Sequence, residues 1–249
     1  SASGSSEPSV PVSASDSPTP DPTQPLPEGK AKATAVRSMF DTIAPRYDLV
    51  NRIMTFRLDV QWRRRTVRRL DLPDGSVVLD LACGTGDLCR DLERAGLAPI
   101  GMDLSWGMLA AARTGAPLVH GDALRLPVPD GAADGVTCGF ALRNLTGLKP
   151  FFAELARSLR PGGRIAILEV DSPPNPLLRL GHGLYFGRVV PFIGGLLSDR
   201  DAYRYLPRSV AYLPSEKDLL ATIVSAGFVD VAKERCSGGI AQLLTATRA

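Results

Sequence analysis

The apolar positions change period several times along the chain, and each change marks an element. From Ala33 to Leu70 the spacing is helical: Val36, Met39, Phe40 and Ile43 recur on one face, Pro45 breaks the run, and Tyr47–Met54 and Asp59–Leu70 follow as further helices. Pro73-Asp74-Gly75 is a turn signal. Behind it Val77, Val78, Leu79, Leu81 and Ala82 form an apolar run broken only by Asp80, as in a strand buried on both faces. From there helices and strands alternate. The pattern predicts helix 87–95, strand 98–102, helix 106–113, strand 118–120, strand 135–140, helix 148–159 and strand 164–170. After an apolar stretch broken by Pro and Gly, an insert over about 173–210, come helix 216–226 and strands 228–233 and 240–247. Such alternation implies an α/β fold with a mostly parallel sheet and helices on both faces.

Composition adds a boundary. Ser1 to Gly29 is rich in Ser, Thr and Pro and holds no aromatic residue, Lys or Arg, so it offers too little apolar surface to offset chain entropy. A disordered tail over 1–29 and a single domain over 30–249 are expected, the latter long enough to bury a substantial core. The net charge is +3, and because the tail carries Glu7, Asp16, Asp21 and Glu28 without a base, the domain is more basic than the whole chain. Cys83, Cys89, Cys138 and Cys236 form no CxxC pair, and with only His120 and His182 there is no zinc spacing, so no metal and a reducing compartment are expected. No apolar run reaches the roughly 18 residues that span a bilayer, and the acidic tail lacks the basic character of a signal or transit peptide. The expectation is a soluble, cytoplasmic protein. Contact with the inner face of the membrane stays open: Arg57, Arg64 and Arg68 share a helix face, with Arg63, Arg65 and Arg69 close by, and that face is either solvated or set against anionic lipid headgroups. Nucleic acid is disfavoured, since no aromatic residues interleave with the arginines. An oligomer is left open.

The candidate chemistry begins at Ala82-Cys83-Gly84-Thr85-Gly86-Asp87, where a buried strand ends in a glycine-rich turn that opens a helix. Gly84 and Gly86 are expected to let the backbone pass close to a ligand. A dinucleotide fingerprint would need a third glycine where Cys89 stands, and its strand does not normally carry an acid at the position of Asp80. Asp80 points instead to a cationic cofactor. Asp103 closes the next strand, where a carboxylate can accept both hydroxyls of a ribose, and Asp122-Ala123 follows the third strand, where an adenine edge would meet a carboxylate and an amide. These places are the carboxyl ends of successive strands, where open α/β sheets bind ligands.

This spacing resembles that of class I S-adenosylmethionine-dependent methyltransferases, whose fold is a Rossmann-like, doubly wound, mostly parallel seven-stranded sheet. Within that class about Val36 to Arg248 is similar to the ubiquinone/menaquinone biosynthesis C-methyltransferases. Tyr47-Asp48-Leu49-Val50-Asn51 with Thr55 and Trp62 resembles one family signature, departing at Val50, Thr55 and at Asp59, where a histidine is usual. Phe140-Ala141-Leu142-Arg143-Asn144 resembles a second, Arg157 to Glu169 a third with Asp171 in place of a serine, and Asp201 to Leu206 with Ser209 a fourth. The resemblance implies S-adenosylmethionine held by Asp80, Gly84, Thr85, Gly86, Asp103, Asp122, Ala123 and Gly139. It implies C-methylation of a lipid-soluble polyprenyl hydroquinone under N-terminal helices and a helical substrate-covering insert, the arginine-rich composition favouring demethylmenaquinol. Arg143 would stabilise a hydroquinone oxyanion, Asn144 and Tyr47 would position the ring, and with no strong base in sight a water would share the proton's removal. The rival reading of Arg143-Asn144 is a helix-capping pair with Asn144 as the cap. Another small phenol, an amine or a sterol as substrate, or a non-catalytic S-adenosylmethionine-binding partner in a biosynthetic assembly, remain alternatives. His120 and His182 are expected to be structural.

Overall fold

Among the described residues three helices precede the first strand: α1 Gly29–Ile43, α2 Tyr47–Met54 and α3 Leu58–Leu70, with a 3-10 turn Ala44–Arg46 where Pro45 stops α1. The structure, a computed structural model, describes residues 28–190, 192, 205 and 208–249. Residues 1–27 of the expected tail, the insert's Pro191, its residues 193–204, and Leu206 of the fourth signature lie outside the described residues.

The strands are β1 Val77–Leu81, β2 Ala98–Asp103, β3 Leu118–His120, β4 Ala133–Gly139, β5 Leu159–Val170, β6 Phe228–Cys236 and β7 Ala241–Arg248. They form one seven-stranded sheet in the order β3-β2-β1-β4-β5-β7-β6, parallel except that β7 runs antiparallel to β5 and β6. Further helices among the described residues are α4 Asp87–Arg94, α5 Trp106–Ala110, α6 Leu148–Ser158, α7 Pro176–Leu184 and α8 Glu216–Ser225. The strand order reverses between β1 and β4, which opens a crevice at the carboxyl ends of those strands.

Alternation along the central strands divides the core between the two faces of the sheet. Leu79, Leu81, Ile165 and Ile167 pack with Phe151, Phe152 and Leu155 of α6 and with Leu219 and Ile223 of α8. Val78, Ala166 and Leu168 pack with Trp62, Val67 and Leu70 of α3 and with Leu88 and Leu92 of α4. Burying a side chain such as Phe151 or Phe152 completely stabilises the fold by about 1.5–3 kcal/mol. A third cluster joins Met39 and Ile43 of α1 and Val50 and Met54 of α2 to Met108, Val190 and Tyr205.

Several boundaries differ from the sequence expectation for physical reasons. β5 begins at Leu159 because Leu159 pairs with Ala133 before an irregularity at Pro161-Gly162-Gly163, so the expected turn is absorbed into the strand. α5 stops at Ala110 rather than Arg113, the Arg113 N–H donating to the Thr85 carbonyl (3.0 Å) instead of continuing the helix. Among the described residues no helix is long and apolar enough to cross a membrane.

Candidate active site

A cavity opens over the carboxyl ends of β1, β2 and β4 and is lined by Asp80, Gly84, Thr85, Asp103, Asp122, Ala123, Gly139 and Asn144. Two non-glycine residues at strand ends, Ala82 (φ 51°) and Phe140 (φ 59°), adopt left-handed backbone there. Such outliers carry strain that the surrounding structure must enforce, and they turn the chain sharply away from the sheet beside the cavity.

Asp80 is 1% exposed and forms no ion pair among the described residues. It accepts hydrogen bonds from Thr137 Oγ1 (2.8 Å) and Cys89 Sγ (3.2 Å). Burial raises its pKa from the ordinary carboxylate range to about 7, the two side-chain hydrogen bonds pulling the other way. A buried carboxylate that lines a cavity and is ion-paired with no side chain among the described residues fits a ligand that brings a positive charge. Asp103 accepts from the Gly84 amide at Oδ2 and the Ser105 amide at Oδ1, both at 2.8 Å, which fixes its orientation and leaves lone pairs on both oxygens for two hydroxyls. Burial raises its pKa too. Asp122 Oδ1 accepts from the Leu124 amide (2.9 Å), and the carboxylate lies at the exposed edge of the cavity.

The two loop glycines have different reasons. A Cβ on Gly84 (φ +56°) would meet nothing nearer than Met108 Sδ at 4.0 Å, so its backbone lies bare to the cavity. A Cβ on Gly86 (φ +80°) would strike Thr114 Cγ2 at 2.7 Å, and Gly86 does not line the cavity. Internal packing and its left-handed backbone are themselves reasons for glycine there. The Thr85 hydroxyl donates to Asp48 and so ties the loop to α2. Gly139 is open, a Cβ there meeting Leu88 Cδ2 only at 3.9 Å.

The sequence reading missed what α1 contributes. Ala33, Val36, Arg37 and Phe40 form a wall of this cavity. Lys32 pins the helix down, donating to the Leu145 carbonyl (2.8 Å) with its ammonium 3.5 Å from the Tyr212 ring centroid. Asp41 Oδ1 accepts from Ser105 Oγ (2.6 Å) and from the Gly107 amide (2.9 Å) at the start of α5.

A second, larger cavity of about 660 Å³ adjoins the first, and Tyr47, Asn51 and Phe140 line both. Its wall is largely apolar, with Met54, Phe56, Leu58, Trp62 and Tyr185 among its residues, together with Leu177 and Leu178 of α7. Tyr47 packs edge-on against Phe40, ring centroids 6.0 Å apart, and its hydroxyl makes no hydrogen bond among the described residues. Burial raises its pKa to about 12. Trp62 is a core aromatic with a satisfied indole, donating to Ser237 Oγ (2.9 Å) while its ring edges Phe140.

The structure splits the expected Arg143-Asn144 pair: Arg143 lines the second cavity and Asn144 the first. Arg143 is 6% exposed and forms a buried ion pair with Glu169. It donates from Nη1 to Glu169 and to the Phe140 carbonyl (2.7 Å) and from Nε to Ser209 Oγ (3.1 Å), while Nη2 makes no hydrogen bond among the described residues. The capping reading of Asn144 is corrected. α6 has Gly147 at its N-cap and no side-chain cap, and Asn144 Oδ1 accepts instead from the Tyr205 hydroxyl (3.3 Å).

Asp59, where a histidine was expected by resemblance, has no exposed surface and is ion-paired with Arg63 while accepting from Thr55 Oγ1 (2.7 Å). Arg63 also pairs with Asp87 (3.2 Å) and Asp91 (3.3 Å) and is 9% exposed, so it does not belong to a lipid-facing surface. Asp171 pairs with Lys233 (3.0 Å) at the edge of the second cavity. His120 Nε2 is 3.0 Å from the Leu104 carbonyl, and its ring edges Trp106. His182 lies in the second cavity's wall, and burial lowers its pKa. All four cysteines are buried and free, and no cluster suited to a metal ion occurs among the described residues.

Fold and site together define a class I S-adenosylmethionine-dependent methyltransferase: a doubly wound sheet with one antiparallel strand, a bare glycine loop, and acids at the ends of β1 and β2. The match of residues 28–248 to the model of the ubiE/COQ5 methyltransferase family shows that the chain belongs to that family. Among its relatives, the demethylmenaquinone methyltransferase of Thermus thermophilus is 45% identical over 215 residues, covering 82% of this chain and 97% of the relative. The ubiquinone/menaquinone biosynthesis C-methyltransferase UbiE of Geobacter sulfurreducens is 39% identical over 226 residues, with 86% and 88% covered. Solved structures share the fold at lower identity. A methyltransferase of Thermotoga maritima gives a TM-score of 0.61 at 19% identity, covering 86% of this chain and 99% of that one. Phosphoethanolamine N-methyltransferase 2 of Haemonchus contortus, in complex with S-adenosyl-L-methionine, gives 0.56 at 15%, covering 75% and 52%.

Proposed function

We propose that this chain methylates a ring carbon of a reduced polyprenyl quinone, converting demethylmenaquinol to menaquinol with S-adenosylmethionine as methyl donor. The observation that carries the reading is the meeting of two cavities at Tyr47, Asn51 and Phe140: one carries Asp80, Asp103 and Asp122, acids placed for a cationic nucleoside, and the other is larger and mostly apolar. The names of the relatives support the choice of quinone. S-adenosylmethionine, when bound, supplies an electrophilic methyl group on a sulfonium. Asp80 supplies the opposite charge in a dry setting, and Asp103 accepts from the ribose hydroxyls.

The ring carbon becomes nucleophilic when the adjacent hydroxyl gives up its proton, so the reduced ring reacts and the oxidised quinone does not. Tyr47, its pKa raised to about 12, stays protonated at neutral pH and acts as a hydrogen-bond donor to a ring oxygen rather than as a base. Arg143 offers Nη2 to the developing oxyanion while Glu169 holds the guanidinium in place. The hydroxyl proton leaves to water, the proton displaced from the methylated carbon follows when the ring becomes aromatic again, and the ring oxygen then takes one proton back from water to give the quinol, so that one proton is released for each methyl group transferred. Asn144 faces the methyl donor and is oriented by Tyr205. Anaerobic turnover with demethylmenaquinone kept reduced by dithionite, compared with the oxidised quinone, tests this. Methylation of the reduced form alone is expected, while equal rates on both, or methylation of amines or sterols in preference, would overturn it.

A further inference from the structure

No residue of α7 is buried, although Leu177, Leu178, Leu180 and Leu184 are four of its nine. Leu177, Leu180 and Leu184, at i, i+3 and i+7, form one outward stripe with exposures of 78%, 72% and 55%. Beside α7 stands Phe56, 73% exposed, at the turn between α2 and α3. Its ring meets Tyr185 at 5.6 Å, and the Tyr185 hydroxyl donates to the Met54 carbonyl (2.9 Å), so turn and helix form one continuous surface. Apolar side chains this exposed and contiguous mark a surface that meets an apolar partner. Arg57, Arg179 and Arg188 are exposed around it, and no Asp or Glu occurs from Ser172 to Val190.

Charge and position together select the partner. An isologous contact with a second copy would set these arginines against themselves, whereas an anionic bilayer complements them. Leu177 and Phe56 belong both to this surface and to the wall of the second cavity, so the apolar exterior continues into the substrate chamber. We infer that the α7–Phe56 surface docks on an anionic lipid bilayer, the leucine stripe lying among the acyl chains and the arginines at the headgroups, so that the isoprenoid tail of the substrate passes from lipid into the second cavity. This rests on the proposed quinone substrate. It sets the lipid contact on a different surface from the face of α3 suggested by sequence, whose Arg64 and Arg68 are exposed while Arg65 and Arg69 beside them are paired with Glu234 and Arg63 is buried.

The test is flotation of the full chain with phosphatidylcholine vesicles, with and without phosphatidylglycerol. Binding to the anionic vesicles is expected, weakening as salt is raised. Leu180→Ser/Leu184→Ser should weaken that binding by tenfold or more, Arg179→Glu/Arg188→Glu should abolish the preference for phosphatidylglycerol, and Arg64→Glu/Arg68→Glu on α3 should change little. None of these residues lines either cavity, so each variant should bind S-adenosylmethionine and methylate a water-soluble, short-tailed hydroquinone like the parent, which also checks that it folds. The leucine variant should lose turnover only on long-tailed substrate carried in vesicles. Absence of vesicle binding by the parent, undiminished binding by the leucine variant, or loss of binding in the α3 variant alone would overturn the proposal. So would a parent dimer that the leucine variant makes monomeric while vesicle binding persists. Flotation needs no catalysis, so failure of quinone methylation with normal flotation would refute the substrate and leave the docking surface standing.

Discussion

Replacing Arg143 by Ala removes one half of a buried ion pair, and the structure sets what that costs. Glu169 has no exposed surface and would keep the amides of Arg143 (3.2 Å) and Val170 (2.8 Å) but lose the one cation it pairs with among the described residues. Leaving one member of such a pair unpartnered costs about 3–5 kcal/mol, a large share of a total stability of about 5–15 kcal/mol. For a domain of this size, where 1 kcal/mol moves the melting temperature by about 2–4 °C, the variant should melt roughly 6–20 °C lower. Its turnover per folded molecule should also fall about a hundredfold or more if Nη2 stabilises the oxyanion. Arg143→Lys should recover only part of either loss, because an ammonium cannot serve Glu169, Phe140, Ser209 and the substrate from a planar fork. The companion variant Arg143→Met/Glu169→Leu separates the effects: with both charges gone the fold should regain most of its stability, while turnover stays low. Urea melts, calorimetry of S-adenosylmethionine binding and single-turnover rates on reduced substrate give the three numbers for each protein. An Ala variant as stable as the parent would refute the ion-pair reasoning, and a double variant that turns over normally would remove Arg143 from the chemistry.

Asp103→Ala should weaken S-adenosylmethionine binding by about 1.5–3 kcal/mol, the range for hydrogen bonds to a charged group; calorimetry showing unchanged affinity would contradict its place at the ribose. Asp80 binds a cation as the carboxylate, and its pKa in the free protein is raised to about 7, so affinity should be flat above that value and fall as pH drops through it, by up to tenfold per unit. A titration of Kd against pH checks this, and Asp80→Asn should bind weakly with no such slope. Gly84→Ala should impair binding more than stability, whereas Gly86→Ala, whose Cβ meets Thr114 at 2.7 Å, should lower the melting temperature more; the reverse order would show that the two glycines have been assigned the wrong way round.

Local features were legible in the sequence and distant pairings were not. The class of fold followed from alternating periods, and Asp80, Gly84 and Asp103 could be placed because each stands at a fixed distance from the end of a strand. The packing reason for Gly86 was not legible, since the residue that demands glycine there, Thr114, lies on a loop whose approach no local pattern announces. Glu169 was visible as a motif residue but its partnership with Arg143 was not, because the ion pair depends on β4 and β5 lying side by side. The arginines of α3 looked alike in sequence; only packing decided that Arg63 would be buried among Asp59, Asp87 and Asp91 while Arg64 and Arg68 stayed exposed. The part of α1 in the cofactor cavity escaped notice for the same reason, its amphipathic face being indistinguishable from one that packs on a core.

The central claim is that carbon, in a reduced quinone ring, receives the methyl group. The chain should be incubated without oxygen with reduced demethylmenaquinone and S-adenosylmethionine carrying a deuterated methyl group, and the product analysed by mass spectrometry and carbon NMR. A single labelled methyl bonded to the quinone ring, still present after the product is oxidised to menaquinone, is the predicted result. Label on oxygen as a methyl ether, or no label in the quinone while S-adenosylmethionine binds normally, would contradict it.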